Sequence, residues 1–255
     1  MLWVWQAEAL EEAGGLPVSR SFTHGYGIFE TMLGFAGGLV AADRHLRRLG
    51  EGCSRLGLPM PSEAIVPAIE GKLGAGRRRV RLQVGDGGMV VVAIEDAGPV
   101  PESVVVRSSP WVRNERSPVA GIKCCSYADN LVALDWARRR GADELLFANT
   151  RGELCEAAMA NVFLVEAGRV VTPPLASGCL PGTARERVLE LDPSASEEPL
   201  PMERLGSADE LFLTSATRGV VPVVDIDGRE LGPGERTLRL REAFAARWFC
   251  GGAPG

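Results

Sequence analysis

Short apolar runs broken by glycine-rich turns alternate with a few stretches of helical periodicity along this chain. Strands are expected at 2–5, at 27–35 before a turn at Gly37-Gly38, at 79–84 and 89–94 around the hairpin signal Gly85-Asp86-Gly87-Gly88, and at 103–107. Leu46, Leu49, Cys53 and Leu56 mark one face of a helix that Asp43 can cap, leaving Arg44, Arg47 and Arg48 on its other faces. Ser62 can cap a second helix carrying Ile65, Val66, Ile69 and Leu73. The segment 108–118, with Arg113, Glu115 and Arg116 between two prolines, has the character of a connection between domains.

In the second half the spacing predicts a helix over 129–140 with Leu131, Leu134 and Ala137 inward, three arginines in its last turn and Gly141 at its stop. Strands follow at 145–148, 161–165 and 169–172 as successive antiparallel segments, with turns at Arg151-Gly152 and Ala167-Gly168. The pattern is α+β. It divides into a domain over 1–109, an interdomain loop over 110–119 and a second domain over 120–255.

Composition narrows the choice of partner. Hydrophobic residues make up 45% and charged residues 24% of 255, which suits a soluble protein with a sizeable core. A formal charge of −5 argues against a nucleic-acid partner, although Arg77-Arg78-Arg79 with Arg81 can meet a small anion. No apolar run approaches the roughly 18 residues of a membrane span, and no basic leader precedes the first apolar residues, so a cytoplasmic protein without membrane contact is expected. Six scattered cysteines without C-x-x-C spacing suit free buried thiols, and with only His24 and His45 no metal site is expected. No strand-linked G-x-G-x-x-G, P-loop, H-E-x-x-H or G-x-S-x-G is present.

Candidate chemistry begins at Lys123, one of only two lysines among 28 basic residues. Ile122, Cys124 and Cys125 give it apolar neighbours, which favour an uncharged amine able to condense with an aldehyde, although most lysines are simply solvated. Glu156 precedes Ala157, Ala158, Met159 and Ala160 on an expected strand, where a carboxylate needs a cationic partner or solvent. Thr183-x-x-Glu186 is a capping-box pattern opening a helix with Val188, Leu189 and Leu191, so its amides and dipole offer an anion site. A second small-residue loop, Thr214-Ser215-Ala216-Thr217, can add donors.

The ordered run from Ile122 to Gly182 resembles the fold-type IV, or class IV, family of pyridoxal phosphate (PLP) enzymes. The resemblance rests on Ile122-Lys123 with Tyr127, Gly141-Ala142-Asp143-Glu144, Gly152 with Glu156, Asn161 and Phe163, Thr172-Pro173 and Leu180-Pro181-Gly182. It implies a two-domain, D-amino-acid aminotransferase-like fold, an N-terminal α/β sandwich and a C-terminal β-barrel-like PLP-binding domain, in a homodimer. It implies further that Lys123 forms the Schiff base and Glu156 holds the pyridine nitrogen. Tyr127 then meets the phenolic oxygen, and Asn161 belongs to the cofactor site. The phosphate falls to Thr183, Ala184, Ser215 and Ala216, with Arg48 from the H-x-x-R-L run His45–Leu49.

Within that family Phe29-Glu30-Thr31 is similar to the F-E-T of aminodeoxychorismate lyases and D-amino-acid aminotransferases. Branched-chain enzymes carry F-E-G and an arginine where Leu33 stands. No arginine-x-histidine carboxylate trap lies near Arg107; Ser126 stands where many lyases have asparagine. The favoured expectation is a lyase of folate biosynthesis that releases pyruvate and 4-aminobenzoate from 4-amino-4-deoxychorismate. The alternatives are a class IV aminotransferase for branched-chain or D-amino acids and a non-catalytic PLP-binding dimer. The substrate is then a small anionic amino compound. Arg81, which shares a strand face with Arg79, and Arg113 are its expected carboxylate partners, with Thr31 and Tyr26 nearby.

Overall fold

The computed structural model describes residues 1–6, 8–12 and 19–248, and of Leu2 and Gln6 only the backbone; Cys250 lies outside the described residues. In chain order the elements are β1 Leu2–Gln6, β2 Ala9–Glu12, α1 Arg20–His24, β3 Gly27–Phe35, β4 Gly38–Leu39, α2 Ala42–Leu56, α3 Ile65–Glu70, β5 Arg78–Gly85, β6 Val90–Asp96 and β7 Val104–Arg113. They continue with α4 Ala128–Arg138, β8 Glu144–Asn149, β9 Leu154–Ala157, β10 Asn161–Glu166, β11 Arg169–Thr172, α5 Thr183–Leu191, β12 Ser196–Glu197, β13 Glu210–Ser215, β14 Gly219–Ile226, β15 Arg229–Glu230 and α6 Glu235–Trp248. The chain divides into two units.

The first unit is built on an antiparallel sheet in the order β2-β1-β6-β5-β3-β4. Strand β3 pairs with β5 along almost its whole length, from Gly27 opposite Gly85 to Gly34 opposite Arg78. Strand alternation turns Ile28, Glu30 and Met32 one way and Phe29, Thr31 and Leu33 the other. Ile28 and Met32 join Leu49 and Cys53 of α2, Ile65 and Ile69 of α3, and Val80, Leu82 and Val84 of β5 in one apolar core.

The lysine segment belongs to this unit: Ile122–Tyr127 groups with the first hundred residues, whereas 100–121 and 128–247 form the second unit. Its backbone satisfies the otherwise open edge at the start of β3, through Phe29 N–H to Lys123 O (2.9 Å), Cys125 N–H to Gly27 O (2.7 Å) and a bridge between Ile28 and Cys124. The expected boundary at 109/110 is therefore displaced. Residues 110–113 are not loop; they complete β7, where Val112 and Arg113 pair with Ala148 and Asn149 of β8.

The second unit is a mixed sheet in the order β12-β11-β10-β13-β14-β7-β8-β9, with β15 beside β14. Of the segments expected to follow one another antiparallel, β10 and β11 pair in that way, whereas β8 pairs with β9 and with β7, which runs parallel to both β8 and β14. Val104, Val106, Leu146, Leu154, Val162, Leu164, Val171, Leu211, Leu213, Val221 and Val223 converge in one cluster, so the sheet curls around its own core as the barrel-like expectation required. On the other face Ala133, Leu134 and Ala137 of α4 pack on Leu145 and Phe147.

Several local expectations give way to geometry. Helix α2 is capped at Ala41, held at φ 51°, and Asp43 falls in its first turn. Helix α3 begins after Ala64; the Ser62 hydroxyl bonds Glu8 instead of capping it. The buried stripe of α4 is Asn130, Ala133, Leu134 and Ala137, leaving Leu131 53% exposed. Helix α5 is capped by Gly182, so Thr183 is its first residue and the capping box does not form in the register that Thr183-x-x-Glu186 required.

Candidate active site

In the first unit the site is assembled on β3. Lys123 places Nζ 4.5 Å from the centroid of the Phe29 ring and 5.4 Å from that of Tyr127, and the two rings meet edge-on at 5.1 Å. The Arg81 guanidinium lies 3.6 Å over Phe29 and donates to Gln83 Oε1 at 3.2 Å. Burial lowers the pKa of Arg81, and the Cys125 thiol and Tyr127 partly offset this; an arginine nevertheless stays charged. Thr31 is the cross-strand partner of Arg81, and Leu33, fully buried, faces Arg79. Lys123, Tyr127 and Arg81 thus gather around one aromatic ring, with Thr31 on the same face of β3.

The other parity of β3 carries a buried charge cluster. Arg48 binds Glu30 with two bonds, Nε to Oε1 at 2.8 Å and Nη2 to Oε2 at 2.6 Å, and His45 Nδ1 meets Oε2 at 2.7 Å. His45 and Arg48 lie three residues apart on α2, hence on one face toward β3. Desolvation alone would raise the pKa of Glu30, but Arg48 and His45 overcome it and hold it at about 2. A carboxylate without a proton can only accept, so Nδ1 of His45 carries the hydrogen; burial keeps that imidazole neutral by lowering its pKa. Arg48 is therefore turned inward. Tyr26 is used elsewhere: its hydroxyl donates to Leu56 O at 2.7 Å and its ring lies 4.6 Å beneath Arg20.

In the second unit Glu156 near the end of β9 accepts the Leu180 N–H at 2.9 Å, and Asn161 Nδ2 donates to Leu180 O at 2.9 Å. Leu180, at the head of the Leu180-Pro181-Gly182 turn, is thereby held by both its N–H and its carbonyl. A Cβ on Gly182 would stand 1.9 Å from Asn161 Oδ1, which explains the glycine. Thr183 and Ala184 follow, buried, at the amide-donating start of α5. Thr214 sits opposite Asn161 in the β10–β13 pair, and its buried Oγ1 has no hydrogen-bond partner among the described residues; Ser215 ends β13 and leads to Ala216.

Arg113, expected at a substrate carboxylate, points at Glu156 Oε1 (3.6 Å) and donates to Asn130 Oδ1 (3.2 Å). Sequence reasoning missed Asn130 and the isolation of Glu144. The signal for Asn130 was its spacing with Ala133, Leu134 and Ala137, an apolar stripe at i, i+3, i+4 and i+7 whose first member is polar. Glu144 is fully buried, and among the described residues no side chain hydrogen-bonds either carboxylate oxygen. Desolvation lifts its pKa to about 7, with Arg218 and the amides of Leu145, Met159 and Ala158 only partly opposing.

Set beside known proteins, the chain is similar to a Methanocaldococcus jannaschii protein provisionally named a branched-chain-amino-acid aminotransferase, 27% identical over 249 residues that cover 87% of this chain and 86% of the relative. Matches to two further curated relatives span about half the length of each. The crystal structure of the branched-chain aminotransferase from Thermoproteus uzoniensis with norvaline superposes with a TM-score of 0.86 at 25% identity, covering 95% of this chain and 93% of that one. A Legionella pneumophila protein provisionally named 4-amino-4-deoxychorismate lyase shares the fold, with a TM-score of 0.83 at 22% identity over 92% of this chain and 96% of that one. The family model for amino-transferase class IV matches residues 27–226. Together with the two-unit architecture and the ordered motifs, that match means that the chain belongs to the class IV aminotransferase family, whose members depend on PLP.

Proposed function

We propose that this chain is a PLP-dependent lyase that converts 4-amino-4-deoxychorismate into pyruvate and 4-aminobenzoate. The observation that carries the reading is the face of β3. Thr31 stands opposite Arg81 beside the Lys123–Phe29–Tyr127 group, and at the position where branched-chain enzymes carry an arginine Leu33 is buried and apolar.

The residues present fit the cofactor. Lys123 supplies an amine and Glu156 a carboxylate, and the start of α5 offers amide donors near Thr214, whose buried hydroxyl has no hydrogen-bond partner among the described residues. Lys123 would carry PLP, with Glu156 at its ring nitrogen and Tyr127 at its phenolic oxygen; Thr183, Ala184, Ser215 and Ala216 would take the phosphate, and Arg48, which keeps Nε and Nη2 on Glu30, would add its charge. Asn161 holds the turn that presents Thr183. When bound, the cofactor supplies an electron sink for the carbon that bears the substrate nitrogen.

The chain's own groups do the rest. Lys123 Nζ takes the proton from that carbon, the C–O bond to the enolpyruvyl group breaks as the ring becomes aromatic, and the amine returns a proton to the departing enolpyruvate. All substrate atoms end in the two products. Arg81 meets a carboxylate of the dianionic substrate through its planar fork, and the hydroxyl of Thr31 lines the same face. A homodimer is part of this reading.

The test begins with the spectrum. Purified protein should be yellow, and borohydride reduction should fix the label on the Lys123 peptide; label on Lys72, or none, overturns the assignment. Glu156→Gln should stay folded and lose turnover by orders of magnitude. Given aminodeoxychorismate alone, the enzyme should release pyruvate and 4-aminobenzoate in equal amounts without a keto-acid acceptor. The names of the relatives favour a second reading, an aminotransferase for branched-chain or D-amino acids. Sustained turnover that requires 2-oxoglutarate or pyruvate, with no pyruvate released from aminodeoxychorismate, establishes that reading and removes the first.

A further inference from the structure

We propose that Arg113 and Asn130 are positioning residues that set the place and charge environment of Glu156, an inference that rests on the PLP reading above. Arg113 lies at the end of β7 with its guanidinium 4.4 Å over the Phe147 ring, and Phe147 is the cross-strand partner of Glu156. From there Nη1 donates to Asn130 Oδ1 at 3.2 Å, while Nη2 stands 3.6 Å from Glu156 Oε1. The same Asn130 donates through Nδ2 to Ala158 O at 2.6 Å. Its amide orientation is settled by chemistry, because arginine only donates and a carbonyl only accepts.

These contacts join β7, α4 and the turn that follows β9 through one planar cation. Glu156 is bracketed, with Oε2 taking the Leu180 N–H and Oε1 facing the arginine. At 3.6 Å the Arg113–Glu156 contact acts through charge rather than a full hydrogen bond, and Nη2 has no hydrogen-bond partner among the described residues. Arg113 is 20% and Glu156 14% exposed, so an incoming carboxylate would have to compete with an acceptor already in place. A lysine, with one point charge, cannot reach Asn130 and Glu156 in the same fork geometry.

The experiment uses the full chain, with PLP as the probe. Arg113→Ala and Asn130→Ala are titrated with PLP by absorbance and fluorescence, and the amide exchange of Leu180 is followed without cofactor. The expected result is PLP binding weaker by about tenfold in both variants, the loss seen when partners that orient a ligand from behind are removed. Leu180 should exchange faster in both. In Arg113→Ala the acid limb of the PLP-binding profile should move up by roughly one pH unit as the nearby cation is lost. Arg113→Lys should restore the limb but not the affinity, and KM for aminodeoxychorismate should change by less than about threefold. Wild-type affinity, pH profile and Leu180 exchange in both alanine variants, or an Arg113→Ala variant that changes only KM, overturns the inference. If Arg113→Ala does not fold, Arg113→Lys and Asn130→Ala decide the matter by the same readings. Wild-type protein that takes up no PLP instead removes the functional reading itself.

Discussion

Glu30 in the first unit and Glu144 in the second are equally hidden, at 1% and 0% exposure, yet one is held at about 2 and the other lifted to about 7. Burial penalises both charges in the same way. The difference lies in what each strand faces. Glu30 meets a helix that supplies Arg48 and His45 one turn apart, whereas Glu144 lies on the same strand face as Leu146, toward the curled sheet's core, with no side chain among the described residues hydrogen-bonded to it. A buried carboxylate is thus either a structural anion or a proton store, according to its partners rather than its depth.

The strongest way to break this comparison is to delete the partnered member. Glu30→Ala leaves a guanidinium and an imidazole buried with their shared acceptor gone, and should lower stability by about 3–5 kcal/mol in urea unfolding at pH 7. A loss below about 1 kcal/mol would mean that Arg48 and His45 find other partners at no cost.

Glu144 gives the next effect, with the opposite dependence on pH. Its folded pKa is raised, from 4.5 to about 7, so its contribution is complete below 4.5 and is lost as pH rises through 7. The difference of 2.5 units amounts to about 3 kcal/mol. Glu144→Gln, which cannot ionise, should flatten the stability profile between roughly pH 5 and 8 and be the more stable protein at the upper end. An unchanged slope would show that Glu144 reaches solvent or a partner when it ionises.

His45 sharpens the first side. Its lowered pKa means that the folded protein resists protonation, so stability present above the ordinary 6.5 falls as pH drops below it. His45→Gln should lose about 1–2 kcal/mol at pH 7 and lack that acid limb, measured by thermal melts across pH. The smallest change concerns Arg218, whose charge lowers the pKa of Glu144. Arg218→Ala should move the Glu144-linked decline to higher pH by less than about one unit. A move to lower pH would contradict the sign of that interaction.

The candidate site was legible wherever its residues follow one another at close spacing. Lys123, Tyr127, Glu156, Asn161 and Gly182 could be placed in order because each is tied to a local turn or strand that its neighbours dictate. Arg113 was found as a residue but not as a partner, since its direction depends on Phe147 and Asn130, which reach it only through sheet pairing and helix packing. Asn130 escaped notice because the phase of α4 was drawn through Leu131, one position off the buried stripe.

By itself, then, the amino-acid order determined the family, most strands and the glycine-marked turns, and singled out Lys123 as the candidate amine, because backbone conformation and binary pattern are short-range properties. Only the tertiary structure decided that the lysine segment completes the edge of β3, that Glu30 is paired and Glu144 is not, and that Arg113 faces a carboxylate of its own chain. Each of those depends on which residue lies across a sheet or against a helix. Desolvation makes such neighbours decisive for charged groups, and their separation along the chain hides them from any local reading.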